Sequence, residues 1–151
     1  MLRSIAITRA SRSMLLDMIE IYSAEQMNFV PPGFSNNIIW NIGHIIVVQQ
    51  MLVYKLSGLP MMICAEMVAK YKRGTRPEGD VSADEVALIK SLLIETVDKT
   101  LSDYKHRSFK IYHPFTTMTG YEITDAESAA DFNNYHEGVH IGIILGIRKF
   151  I

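Results

Sequence analysis

The residues of this chain best placed to do chemistry are His136-Glu137-Gly138-Val139-His140. They form an H-E-x-x-H pattern inside a strongly helical stretch. Positions i and i+4 lie on one helix face, one turn apart, so both imidazoles can reach a single metal ion. Phe132, Ile143 and Ile147 fall on the same stripe, which points the pair toward the core. Each buried imidazole needs a polar partner, and a shared metal supplies one to both.

The familiar reading of H-E-x-x-H is a zinc metalloprotease with the glutamate as general base. It needs a third ligand downstream. The eleven residues after His140 contain no His, Asp or Glu, and the metzincin extension is broken by Ile143 and Gly146. The third ligand must then come from upstream, and His44 is the best placed. It sits among Trp40, Val47, Val48 and Met51 in the most apolar stretch of the chain. Alone it would read as a core histidine bonded to a carbonyl or an asparagine; beside His136 and His140 it reads as a ligand. Three histidines leave a position open for water or substrate, as in catalytic rather than structural sites. All-nitrogen ligation suits zinc, nickel, iron or copper. Glu137 is a candidate general base on a metal-bound water, or an anchor for a neighbouring helix. Asn41, Asn133 and Asn134 are candidates to orient the imidazoles. His106 and His113 read as solvated, with His113 near the site only if its loop folds over.

Four helical patterns must position these groups. The first covers about 8–28 and stops before Pro31-Pro32-Gly33. The second runs from an N-cap at Ser35 to about Leu56, ended by Gly58 and Pro60. It is apolar nearly all round, so it must be buried on more than one side, with a second subunit as the expected cover. Residues 59–81 are a mixed connector with a short helix at Ala65–Tyr71. The third helix spans about 82–104 behind a Ser82/Glu85 capping box, and the fourth starts at Thr124 with Glu127 completing another. Residues 105–123 show no helical period and form a candidate lid, with Thr117 or Tyr135 lining a pocket. Gly138, Gly142 and Gly146 recur every fourth residue, a spacing that calls for close approach of another helix, within the chain or across a dimer. Cys64 has no activating neighbour in sequence and reads as a spectator. Four long helices without a convincing strand predict an all-α four-helix bundle, as a single domain over 1–151.

Two segments carry a resemblance to a known family: Pro32-Gly33-Phe34-Ser35-Asn36-Asn37-Ile38-Ile39-Trp40-Asn41-Ile42-Gly43-His44 and Phe132-Asn133-Asn134-Tyr135-His136-Glu137-Gly138-Val139-His140-Ile141-Gly142. With them the chain resembles the DinB-like, YfiT-like metal-binding superfamily of four-helix bundles. One histidine on the second helix and H-x-x-x-H on the last form that family's metal triad, which His44, His136 and His140 match position by position. The resemblance implies a divalent metal, often nickel or zinc, and frequently a homodimer; the all-nitrogen donor set also admits iron. It also implies thiol-dependent transferase or isomerase relatives that use low-molecular-weight thiols such as bacillithiol or mycothiol. The expected function is a metal-dependent enzyme of thiol-transferase or hydrolase type acting on a small molecule. The alternatives are a non-catalytic metal- or small-molecule-binding dimer, and a metal-free bundle with structural histidines.

Composition narrows the field. Fifteen Lys+Arg against sixteen Asp+Glu leave a net charge of -1, with no basic excess for nucleic acid. Hydrophobic residues at 48% and charged residues at 21% exclude a disordered chain. One cysteine excludes an internal disulfide and fits a cytoplasmic protein. The apolar run from Ile38 to Val48 is too short for a membrane span, which needs ~20 residues. A mean hydropathy of +0.11 is high, and adds to the expectation of an oligomer.

Overall fold

Six helices and one short ribbon organise the protein in a computed structural model that describes residues 1–151. The helices are α1 (Leu2–Ile21), α2 (Ala24–Asn28), α3 (Ile38–Gln49), α4 (Ala65–Tyr71), α5 (Ala83–Lys105) and α6 (Ala126–Ile147). Between α5 and α6, β1 (Phe115–Thr116) pairs antiparallel with β2 (Glu122–Ile123), Phe115 opposite Ile123. The molecule is mostly helical, as expected, but the stretch 105–123 is not without strands.

The helix starts differ from the sequence expectation for local reasons. The predicted first helix splits in two, because Ser23 begins a new one: its hydroxyl accepts from the Gln26 N–H while the Gln26 side chain accepts from the Ser23 N–H. The second begins at Ile38, not after Ser35. Asn37 is extended, and its Oδ1 accepts the Trp40 N–H at 2.9 Å while its amide donates to the Asn28 carbonyl. Ser82 caps α5, but the Glu85 carboxylate turns away to Lys70 and Tyr71, so the box is half made. At α6 the cap is Asp125 with Ser128 reciprocating, displacing the expected Thr124 and Glu127. Beyond Gln49, α3 loosens into a π-helical turn (Gln50–Tyr54) and a 3-10 turn, then stops at Gly58, whose φ of 66° a side chain would resist.

α3 is the axis of the structure. Every residue from Ile38 to Val47 is buried. α5 and α6 cover it on two sides, and the short helices α2 and α4 cover the rest. The cover expected from a second subunit is thus supplied by the chain's own connectors. α1 packs on α5 and α6 from the other side. The shared core includes Leu15 and Ile19 of α1, Ile42 and Ile46 of α3, Ile89 and Leu93 of α5, and Ile144 and Ile147 of α6. Full burial of such a side chain contributes about 1.5–3 kcal/mol. No helix is long and apolar enough to cross a membrane.

The inward face of α6 runs through Ala129, Asn133, Glu137 and Ile144, so Phe132 and Ile143 sit at its margin. The loop 105–123 is pinned away from the histidines. The His113 N–H donates to the Leu56 carbonyl at 2.7 Å, and the Tyr112 hydroxyl to the Leu52 carbonyl at 3.0 Å. Those anchors lie eight or more residues beyond His44, about 12 Å along a helix. The loop closes over the far end of α3 rather than serving as a lid on the site.

Candidate metal centre

The α3 stripe and the α6 pair cross at His44, His136 and His140, whose ligand atoms lie within 4.8 Å of one another. His44 is buried, and the other two are half-buried at the edge of the inward face. The ring centroids are 4.6–5.1 Å apart. The Nε2 atoms of His44 and His136 face each other at 3.2 Å. Two nitrogens bound to one zinc at 2.0–2.1 Å in tetrahedral geometry are separated by about 3.3 Å. The spacing therefore fits ligands sharing one ion.

The outer nitrogens of two rings are already held. The Nδ1 of His44 lies 2.6 Å from the Tyr71 carbonyl oxygen, which can only accept, so Nδ1 carries the proton and Nε2 presents its lone pair. The Asn41 amide nitrogen donates to the Asn37 carbonyl and to Asn36 Oδ1, at 2.7 and 3.0 Å. That fixes which end of Asn41 faces His140. Its Oδ1 is 2.7 Å from His140 Nδ1, which must donate, and Nε2 is again free to ligate. The Nδ1 of His136 is buried without a partner. Trp40 stacks on His44 at 4.8 Å between centroids, with the planes 12° apart.

The electrostatics keep the cluster neutral. Burial pushes His136 down to about 3, helped by the neighbouring His140 and His44. Burial, then His44, pushes His140 down to about 4. His44 is also lowered by burial, against the opposing pull of the Tyr71 carbonyl. Three imidazoles near neutral pH therefore offer lone pairs rather than protons, the state that metal ligation requires.

Glu137 stands apart. Its carboxylate is 1% exposed and faces α1, where Arg12 is 0% exposed. Arg12 donates from Nη2 to Oε1 at 2.7 Å and from Nε at 3.1 Å, while its Nη1 reaches Thr96 Oγ1 at 2.7 Å. Asn133 donates to the same Oε1 at 2.7 Å. The i+1 step from His136 turns the side chain about 100° around the helix. Glu137 thus takes up the anchoring role that stood as the alternative to general base, and Asn133 serves Glu137 rather than an imidazole. Asn134 binds Thr8 and the Ser4 carbonyl.

His106 is exposed, with Nδ1 on the Ser102 carbonyl, and His113 is exposed with its loop. Thr117 is buried within the ribbon turn, where its hydroxyl donates to the Tyr121 carbonyl. Tyr135 instead borders a separate groove of about 460 Å³ with Tyr121, Phe132 and Asp131. Gly138 and Gly142 face open space rather than another helix of the chain, and the nearest atom to a Cβ at Gly146 belongs to Phe34 at 3.5 Å. Sequence reasoning missed Arg12, although its spacing with Thr8, Leu15 and Ile19 marks it as inward-facing. It also missed Tyr71, whose contact to His44 is made by a backbone carbonyl that residue type does not announce.

A family model of the DinB superfamily matches residues 7–144, which takes in all three histidines. No curated protein matches the chain significantly.

Proposed function

The chain belongs to the DinB superfamily, and from that membership and the histidine cluster we propose that it is a metal-dependent enzyme of thiol-transferase or hydrolase type. Its four long helices, α1, α3, α5 and α6, would form the four-helix bundle of that family. His44, His136 and His140 would hold one divalent ion, nickel or zinc first and iron next. The carrying observation is the convergence of three neutral imidazoles from two helices, two of them with their outer nitrogens held and their Nε2 atoms free.

Bound there, the ion would supply Lewis acidity and lower the pKa of a coordinated water or thiol. The chain's own part is orientation. The Tyr71 carbonyl and Asn41 select the ligating tautomers. The Arg12–Glu137 pair holds the inner face of α6 against α1 and α5. The substrate class that fits is a small molecule presented with a low-molecular-weight thiol, in a reducing, cytoplasmic setting.

A second reading, a dimeric binding protein without turnover, draws on the outward face of α6. Tyr135, Gly138, Val139, Gly142 and Leu145 are exposed there and carry no charge. A second copy laid on that face would give either reading a homodimer.

The test is elemental analysis of untagged protein beside His44→Ala and His140→Ala. We expect about one divalent ion per chain, lost in both variants, followed by turnover in a thiol-transfer or hydrolysis panel. Binding without turnover would favour the second reading. Protein that takes up neither zinc nor nickel would overturn the enzyme reading and leave the three histidines as polar groups of a metal-free bundle.

A further inference from the structure

His44 is gripped from outside the two helices that carry the histidines. The grip comes from α4 and the loop after it. Tyr71 is the last residue of α4, where helix carbonyls have no partner within the helix. Its carbonyl receives the His44 Nδ1–H at 2.6 Å. Tyr71 is 1% exposed, and its ring packs against the α3 backbone at Gly43, the residue before His44. A Cβ on Gly43 would meet the Tyr71 ring at 2.6–2.8 Å, closer than carbon atoms pack. The Tyr71 hydroxyl donates to Glu85 Oε1 at 2.5 Å, and Lys70 pairs with Glu85 Oε2 at 2.6 Å.

The other side of the imidazole is tied to the same segment. Trp40 stacks on His44, and its Nε1–H reaches Thr75 Oγ1 at 3.3 Å. Thr75 in turn lies 2.7 Å from the Lys70 carbonyl. The edge and the face of His44 therefore depend on one feature: α4 seated on α3 with no side chain between them at Gly43.

We propose that Tyr71 is a positioning residue of the metal centre, seated by Gly43, so that the α4 segment sets the tautomer and angle at which His44 offers Nε2. This rests on the metal-binding reading above and extends it from the three histidines to the connector. Orienting partners of metal-bound histidines typically account for 10–100-fold in metal affinity.

The experiment compares wild type, Gly43→Ala, Tyr71→Ala, Tyr71→Phe and Leu93→Ala, the last a core control in α5. Zinc and cobalt affinities are measured by titration, with the visible spectrum of the cobalt form as a readout of ligand geometry. In metal-free protein, nitrogen NMR of the imidazoles reports the His44 tautomer. We expect Gly43→Ala and Tyr71→Ala to lose 10–100-fold in affinity, to change the cobalt spectrum, and to lose the fixed Nδ1–H tautomer of His44. Tyr71→Phe keeps the ring and carbonyl and should recover most of the affinity and the tautomer. Leu93→Ala should lower the melting temperature while leaving the spectrum and tautomer unchanged. Wild-type affinity, spectrum and tautomer in Gly43→Ala and Tyr71→Ala would overturn the proposal while sparing the metal site. Loss of the spectrum in Leu93→Ala to the same degree would also overturn it, by making the effect one of general stability. Wild type that binds neither ion would overturn the metal reading and this one with it.

Discussion

Replacing either partner of the Arg12–Glu137 pair should cost more stability than replacing both. Each is essentially sealed from water, and the guanidinium makes two close contacts to one carboxylate. Removing one partner of a buried pair typically costs about 3–5 kcal/mol, because a bare charge is left in a low-dielectric interior. Removing both charges takes away that penalty, and apolar replacements of similar volume are often neutral or better. Two contacts are still lost in the double variant, and the lighter is at Thr96, whose Oγ1 gives up the Arg12 donor but keeps its own bond to the Leu92 carbonyl. The Asn133 amide now spends a hydrogen on Glu137 Oε1 at 2.7 Å and would be left without an acceptor, at about 1–3 kcal/mol. Arg12→Met and Glu137→Leu should each lose about 3–5 kcal/mol, and Arg12→Met/Glu137→Leu only about 1–3. For 151 residues the unfolding entropy near the midpoint is about 0.32 kcal/mol/K, so the single variants should melt about 9–16 °C lower and the double about 3–9 °C lower. The assay is a thermal melt of metal-free protein by circular dichroism, with denaturant titration to extract the coupling. Single-variant losses that simply add in the double would refute the buried-pair account. Glu137→Gln separates structure from catalysis: lost turnover with unchanged stability and metal content would restore Glu137 as a general base.

The pH response of the metal-free protein follows from the histidines. His136 and His140 are held down to about 3 and about 4, so between there and the ordinary 6.5 the unfolded chain takes up protons that the folded chain refuses. Stability is thus complete above about 6.5 and falls as pH drops toward 3–4, at up to about 1.4 kcal/mol per pH unit for each histidine. Urea titrations at a series of pH values should show this slope, shallower in His136→Phe; an identical profile in the variant would contradict it. Asn41→Ala should weaken zinc affinity 10–100-fold by stripping the acceptor from His140 Nδ1–H, and Asn41→Asp should restore most of it. Calorimetric titration checks both, and full affinity in Asn41→Ala would show that Asn41 does not orient the ring.

Much of the site was legible in the sequence because it depends on local geometry. The i,i+4 spacing of His136 and His140 puts both rings on one side of any helix. The apolar surroundings of His44 mark it as a buried polar group in need of a partner. The helices themselves follow from periodicity and from Pro, Gly and capping residues, although the caps fell on Asn37 and Asp125 rather than on their neighbours. Those shifts follow from which side chain can reach a free N–H, and neighbouring Ser, Thr, Asn and Asp compete closely for that role. What covers α3 was not legible. An all-apolar helix demands burial without saying by what, and only the packed chain shows α2 and α4 doing it.

The sequence alone determined which residues have the chemistry to hold a metal and which helices carry them, because those properties live in side-chain type and in a 3.6-residue period. The tertiary structure alone decided what each group faces. It turned Glu137 onto Arg12, paired Asn41 with His140 and brought the Tyr71 carbonyl to His44. These contacts join residues 27 to 125 positions apart. No local pattern encodes them, because they depend on how whole helices dock and on a gap as small as the missing Cβ of Gly43.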